Sequence, residues 1–429
     1  MTIGGVDLVG NGTNAPRFVS TISIVARVRT RSILGTTIAV LVLALAGTAE
    51  SSHQGSSPKA RLVVSPSSAF VDQPVDVRLT GLGPKQQVRL SATTRDAAGR
   101  VWRSRLPFRA TRGGVVDTRS DMKLFWSMHP AKRAVSDPLV PSLGPTEVRI
   151  WAEVHGRTIA STRFVRRAQA SSVTAENTSL ATEGFVGTYF RAAPGSPVPA
   201  VLQIGGAFGG HSSLPAALVA SHGYPTLSLA YFKEPGLPKT LKDIPLEYFA
   251  KALRWLAAQP GVDPNRVVVL GASRGGEAAL LLGIYYPELV HGVIACTSSA
   301  DVLGASDYPA FGGNAWTLDG SPIPQGPIPV ERVGGPVMAT GGGKDAVWPT
   351  AEAVREIVAR ARRYGRNDIV GHIYVKAGHS VGCAVPYLPL RSINFGRTSW
   401  LPFGGTQASN AQARAASWPL LLRFVATLR

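Results

Sequence analysis

Two cysteines in 429 residues are too few for a disulfide framework, and no set of His, Cys, Asp and Glu has the spacing of a metal site. A stapled miniature scaffold and a metal-built domain are therefore excluded, and no cofactor is expected. Acidic residues are also scarce, 26 against 45 Lys and Arg, for a net charge of +19. Yet the basic residues, mostly Arg scattered over both halves, form no block with the length or aromatic interleaving of a nucleic-acid site. No nucleic-acid partner is expected. The excess positive charge reads as solubility with a mild preference for anionic surfaces or substrates.

Long apolar runs are missing too. The stretch that stands out, Ile33 to Ala46, has 14 residues without a charge, which is short for a bilayer span. Arg27, Arg29 and Arg31 precede it and Ala44-Leu45-Ala46 closes it, the pattern of a secretory signal with an A-x-A cleavage site. The expectation is export to the cell envelope or beyond, with residues 1–46 removed and a mature charge of +16. An uncleaved signal-anchor through residues 33–46 is one alternative. A start assigned too early, leaving a cytoplasmic enzyme, is the other. Cys296 and Cys383 could pair, but each falls in a stretch needed for the sheet or the active-site rim, so a bridge is not favoured.

What the chain does have is 45% hydrophobic residues, enough for packed cores. After a linker at 47–60, short alternating runs separated by Gly, Pro and Asp clusters begin at Arg61. They include Val75–Leu79, Val88–Ala92, Val101-Trp102 and Val148–Val154, and residues 61–167 read as a β-sandwich of immunoglobulin type without the paired cysteines of antibody domains. The density of apolar residues in Met122–Met128 reads as core rather than as a ligand-facing loop. Residues 168–182 are small and polar, suited to a linker or an exposed edge hairpin. From 183 to 429 strands and helices alternate, which requires crossover connections and a mostly parallel sheet with functional groups at the strands' carboxyl ends.

Within that region Val267-Val-Val-Leu-Gly-Ala-Ser-Arg-Gly-Gly276 reads as strand, elbow and helix. Gly271-Ala-Ser-Arg-Gly275 has the G-x-S-x-G pattern of the nucleophile elbow of α/β hydrolases, with Ser273 as nucleophile. Glycines two residues either side are required because a Cβ there would collide with the neighbouring strand and helix. A plain glycine-rich turn is the alternative. In chain order the acid and then the base should follow. Asp345, in Gly341-Gly-Gly-Lys-Asp-Ala-Val-Trp-Pro349, comes directly after the Val337 strand, and His379, in Lys376-Ala-Gly-His-Ser380, follows the Ile373-Tyr-Val375 strand. Asp301 competes for the acid, and His211 and His222 for the base, although both histidines precede the serine. The oxyanion hole should take the backbone N–H of Arg274 and a second one, from Ala207 or Phe208, in the loop Gly205-Gly-Ala-Phe-Gly-Gly210.

These segments resemble the acyl-CoA thioesterase and bile acid-CoA:amino acid N-acyltransferase family. The resemblance spans both domains: Val64–Val75, Thr80-Gly-Leu82, Arg95–Gly99 and Leu124–Ser127 in the first, and Ala220-Ser-His-Gly-Tyr-Pro-Thr-Leu-Ser-Leu-Ala-Tyr-Phe232, Gly236–Lys239 and Ile244–Phe249 in the second. It implies Ser273, Asp345 and His379 as nucleophile, acid and base. It also implies an acyl thioester or ester as the small-molecule substrate. Members with acyltransferase activity typically carry cysteine at the nucleophile, so serine points to hydrolysis. The chain departs from the family after His379, where Ser380–Pro389 replaces an acid and paired prolines, and in its signal-like leader, since an exported enzyme would not meet coenzyme A. Acyl transfer to an amine or alcohol is the alternative activity, and a binding protein that has lost catalysis is a second. A weak, salt-dependent association with anionic envelope surfaces is expected from the charge.

Overall fold

In the second half of the chain, apolar β-branched runs of five to eleven residues alternate with helices, and they assemble into an eight-stranded sheet. Its strands are β1 (Thr174–Thr178), β2 (Val186–Arg191), β3 (Val198–Ile204), β4 (Thr226–Ala230), β5 (Val262–Ala272), β6 (Gly292–Cys296), β7 (Val337–Gly342) and β8 (Ile369–Tyr374). They lie in the order β1-β2-β4-β3-β5-β6-β7-β8. Only β2 runs against the rest; every pair from β4 to β8 is parallel. The helices α1 (Ser213–Ser221), α2 (Leu246–Ala257), α3 (Arg274–Tyr285), α4 (Thr350–Arg363) and α5 (Gln407–Thr427) flank the sheet. Strands β3, β4 and β6 are buried along almost their whole length, as expected for parallel strands covered on both faces. This order, crossover pattern and helical cover define an α/β hydrolase.

The computed structural model describes residues 59–428, apart from 120, 133–138, 194, 308, 309, 391 and 396–398. The expected leader, with its apolar run and A-x-A pattern, lies outside the described residues. Residues Ser57–Arg429 form one compact unit.

Its amino-terminal part consists of two facing sheets. One has three strands, Arg61–Ser65, Asp76–Thr80 and Val116–Asp117. The other has six, including Gln87–Arg95, Val101–Arg109, Thr146–Val154 and Arg157–Arg167. Val64, Val77 and Leu79 from the first interdigitate with Leu90, Trp102, Ile150 and Phe164 from the second in a single core. Met122, Leu124, Phe125 and Met128 belong to that core, as their density suggested.

Of the two readings of residues 168–182, linker or exposed edge hairpin, the pairing is that of the hairpin. Thr174–Thr178 pairs antiparallel with β2 as the edge strand of the large sheet. Four of its five residues are exposed, so its polar composition records an uncovered edge rather than a free tether. The two parts also share buried polar contacts. Asp72 Oδ2 accepts from Trp418 Nε1 of α5 at 2.7 Å and lies 2.6 Å from His222 Nε2, at the end of α1. Arg166 donates to the carbonyl of Val71, and burial lowers its guanidinium pKa to about 10.

Candidate active site

Ser273 sits at the turn between β5 and α3 with φ 58° and ψ −120°, a left-handed conformation that costs a non-glycine residue about 1–3 kcal/mol and persists only where neighbours enforce it. The flanking glycines show what enforces it. A Cβ on Gly271 would overlap the backbone of Gly275 and Gly276, and one on Gly275 would press into the Ile204 and Gly205 carbonyls of the adjoining strand end. The Ser273 amide donates to the Cys296 carbonyl at 2.7 Å, which ties the elbow to the end of β6.

The loop after β3 passes directly against the serine, for a Cβ on Gly206 would stand 2.9 Å from Ser273 Cβ. Tyr231 Oη donates to the Gly205 carbonyl at 2.9 Å and helps hold this loop. The Arg274 amide opens α3, and neither it nor the Ala207 amide donates to any acceptor among the described residues. Phe208 follows in the same turn.

At the carboxyl ends of β7 and β8 the other two candidates meet. His379 Nδ1 lies 2.8 Å from Asp345 Oδ2, and both side chains are almost fully buried. Asp345 Oδ2 also accepts from Thr350 Oγ1 at 2.7 Å, while Oδ1 accepts the Val347 and Trp348 amides at 2.8 and 3.4 Å. Four contacts on one carboxylate fix its plane. The Nδ1 contact to that carboxylate places the proton on Nδ1 and leaves the Nε2 lone pair as the basic site. The imidazole packs edge-on to Trp348, with centroids 5.2 Å apart, and the His379 amide donates to the Phe403 carbonyl at 2.6 Å.

Ser273 Oγ makes no hydrogen bond to His379 among the described residues. The two are linked instead through the Cys296–Thr297 backbone, since the Thr297 carbonyl accepts from Trp348 Nε1 at 3.1 Å. Asp301 does not bond His379; its amide turns back to Ser299 Oγ at 2.9 Å. His211 contacts Thr188 and Glu234, and His222 contacts Asp72, so neither joins this cluster.

Sequence reasoning disfavoured a Cys296–Cys383 bridge, and the structure contains it. The two positions are compatible after all: Cys296 ends β6, and Cys383 lies only four residues past His379, so the bond clamps the segment after the histidine onto the sheet. Their separation of 87 residues concealed this proximity.

A second missed feature lies under the elbow. Arg274 Nε is 3.2 Å from Glu277 Oε2, and both side chains are at most 1% exposed. Glu277 Oε1 accepts from Trp316 Nε1 at 2.6 Å and from the Leu303 amide at 3.0 Å, while Arg274 Nη2 donates to the Leu303 carbonyl at 3.0 Å. Burial raises the Glu277 carboxyl to about 7 despite the opposing pull of Arg274. The signal in the sequence was an Arg and a Glu three apart on an otherwise apolar helix, a spacing that permits pairing.

Against known proteins, residues 244–309 and 316–427 match the model described as BAAT / Acyl-CoA thioester hydrolase C terminal, and residues 72–179 match the Acyl-CoA thioester hydrolase/BAAT N-terminal region. The chain belongs to this acyl-CoA thioester hydrolase and N-acyltransferase family. Among its relatives, the mouse (Mus musculus) acyl-coenzyme A amino acid N-acyltransferase 1 is 28% identical over 85% of this chain and 96% of its own length. Human (Homo sapiens) mitochondrial acyl-coenzyme A thioesterase 2 is 29% identical over 82% of this chain and 81% of its own. Among solved structures, a putative dienelactone hydrolase from Klebsiella pneumoniae aligns with 60% of this chain and all of its own at 17% identity and a TM-score of 0.43.

Proposed function

We propose that the protein hydrolyses acyl thioesters or esters through a Ser273-His379-Asp345 triad and an acyl-enzyme. The observation that carries this reading is the buried His379–Asp345 pair, at the strand ends beside a strained serine elbow. His379 Nε2 takes the Ser273 proton as Oγ attacks the acyl carbonyl. The Arg274 amide and one from Ala207 or Phe208 receive the developing oxyanion. The tetrahedral intermediate collapses, the C–S or C–O bond breaks, and the imidazolium gives its proton to the departing thiolate or alkoxide. Water then enters by the same route and releases the free acid. The missing Ser273–His379 hydrogen bond is compatible with this, because catalytic contacts commonly tighten only when substrate binds.

Serine at the nucleophile favours hydrolysis over transfer, although relatives of both kinds exist. Product analysis with acyl-CoA, acyl-pantetheine and p-nitrophenyl ester donors, each with and without glycine, taurine or short alcohols, tests this. The free acid should dominate throughout; amide or new ester formed in proportion to acceptor would assign the protein to the transferases.

The accessory domain is in this reading a β-sandwich of immunoglobulin type, supported by its two facing sheets of short strands. The reading also includes export, with residues 1–46 as signal. The Cys296–Cys383 bridge supports it, because disulfides persist in oxidising compartments. An exported enzyme would draw its substrates from envelope lipids or other extracytoplasmic acyl conjugates rather than from a coenzyme A pool.

A further inference from the structure

The positive charge is distributed unevenly. Residues 61–167 hold 19 Lys and Arg against 8 Asp and Glu, a net of +11, whereas residues 168–429 hold 21 against 16, a net of +5. Strand alternation concentrates much of the sandwich's excess on the outer face of the six-stranded sheet. Arg89, Arg103, Arg105, Arg109, Arg149 and Arg163 are exposed there, opposite the buried positions Val88, Leu90, Trp102, Ser104, Val148 and Ile150. Register aligns Arg103, Thr93, Arg149 and Arg163 in one row across four strands, spanning roughly 15 Å at the usual strand spacing.

Two carboxylates lie on the face. Glu153 pairs with Arg105 at 3.0 Å and Glu147 with Arg163 at 3.3 Å. Among the described residues, Arg89, Arg103, Arg109 and Arg149 have no ion-pair partner. Arg149 and Arg163 are direct cross-strand neighbours, an arrangement of like charges that weakens a sheet. Folding alone gives no reason to keep it. Beside the row, a groove of about 610 Å³ is bordered by Arg89, Arg105, Arg109, His155 and the apolar Pro107 and Phe108, with Glu153, the partner of Arg105, also on its wall.

We propose that this arginine face docks the protein on a bilayer of anionic phospholipid. Charge complementarity is the argument: a broad, flat, two-dimensional array of cations matches a plane of phosphates, and the groove has the scale of a small-molecule site into which one headgroup fits. Nucleic acid matches it less well. Strand-binding surfaces interleave cations with several accessible aromatic rings, whereas this face has, among the described residues, Trp151, half-buried with the Arg149 guanidinium 5.8 Å from its ring centroid, and Phe108 at the groove, packed against the core. Docking by the sandwich would hold the hydrolase at a membrane that supplies acyl esters. That consequence rests on the proposed activity; the docking does not.

Vesicle co-sedimentation of the full chain tests it, comparing phosphatidylcholine vesicles with vesicles containing about one third phosphatidylglycerol. Any contribution from the leader, its arginines included, is common to wild type and variants, so the loss of anionic preference on substitution is the readout. Wild type should prefer the anionic vesicles, and the preference should fade with salt. At about fivefold per surface arginine, R103E/R149E/R163E should lose more than about tenfold of that preference. The same charge change on α4, R355E/R362E/R363E, should lose less than about twofold, which separates location from net charge. Turnover of a soluble p-nitrophenyl ester should match wild type in both variants, establishing that each is folded. Equal losses in the two variants, no lipid preference in wild type, or tighter binding of single-stranded RNA than of anionic vesicles at the same salt would overturn the proposal. If the soluble ester is not turned over, the proposed activity fails while the sedimentation result still decides the docking; thermal melting then reports folding.

Discussion

At Asp345 a single carboxylate serves two purposes, closing its own turn through the Val347 and Trp348 amides and holding the His379 tautomer. Asp345→Asn keeps the shape but puts an amide nitrogen or a weaker acceptor opposite Nδ1, so the imidazole is no longer fixed with its lone pair at Nε2. Loss of that tautomer costs about 10⁴ in kcat in the well-studied serine proteases. A loss of at least about 10³ is expected here, with little change in melting temperature, measured by steady-state turnover and calorimetry. A loss below tenfold would assign the orienting role to another group. Glu277 supplies a second residue-scale test. Its ordinary pKa of 4.5 is raised to about 7 by burial, so the folded protein holds this proton to higher pH than the unfolded chain. Its contribution to stability is therefore complete below about pH 4.5 and is lost as the pH rises to 7, on the order of 3 kcal/mol in all. Glu277→Gln should flatten the stability profile over that window in denaturant titrations. Above about pH 7, where the carboxyl would ionise, the Gln variant also leaves Arg274 buried without a charged partner. An unchanged slope would show that another group governs the window.

Among the elements, those with strong periodicity were legible and those with mixed character were not. Helices α2 and α4 have clear apolar faces, the periodicity by which a helix is read from sequence. Helix α5 escaped notice. It is 21 residues long with no consistent apolar face and has Pro419 inside it, and its start depends on a capping box between Thr406 and Ser409 rather than on an acidic first turn. Edge strand β1 was legible only as one of two alternatives, edge hairpin or linker, since one exposed face and a sheet margin leave only polar residues to see. The elbow pattern, the chain order and the strand-end positions each single out Ser273, Asp345 and His379 independently, and the structure brings Asp345 and His379 together. The disulfide and the Arg274–Glu277 pair depend on three-dimensional juxtaposition, which spacing does not report. The bridge closes a loop of 87 residues, for which chain-entropy loss predicts a contribution of about 4.6 kcal/mol. Cys296→Ser/Cys383→Ser should lower the unfolding free energy by roughly 2–5 kcal/mol and reduce kcat by loosening the segment after His379, measured by denaturant titration and by turnover. Unaltered stability and kcat would mean that the clamp has no role at the site.

Taken as a whole, the molecule joins a basic sandwich to a hydrolase through buried contacts that cross between them. Asp72 bonds side chains from two catalytic-domain helices, and Tyr387 and Leu388, beyond His379, pack against the sandwich core. The amino-terminal part thus packs against the segment that follows His379, which disfavours its being a dispensable appendage. Export is the whole-molecule expectation with the largest consequence for substrate. Intact mass of the chain recovered from native cells should place the amino terminus near Gly47; a cytosolic chain retaining Ile33–Ala46 would restore acyl-CoA as the leading substrate. The central claim remains that Ser273 forms the acyl-enzyme, and active-site labelling with a fluorophosphonate, followed by peptide mass mapping, tests it most directly. The account predicts one adduct on the peptide containing Ser273, absent from Ser273→Ala and strongly slowed in His379→Ala. Labelling of Ser273→Ala at the wild-type rate, or an adduct mapped to another residue, would contradict it.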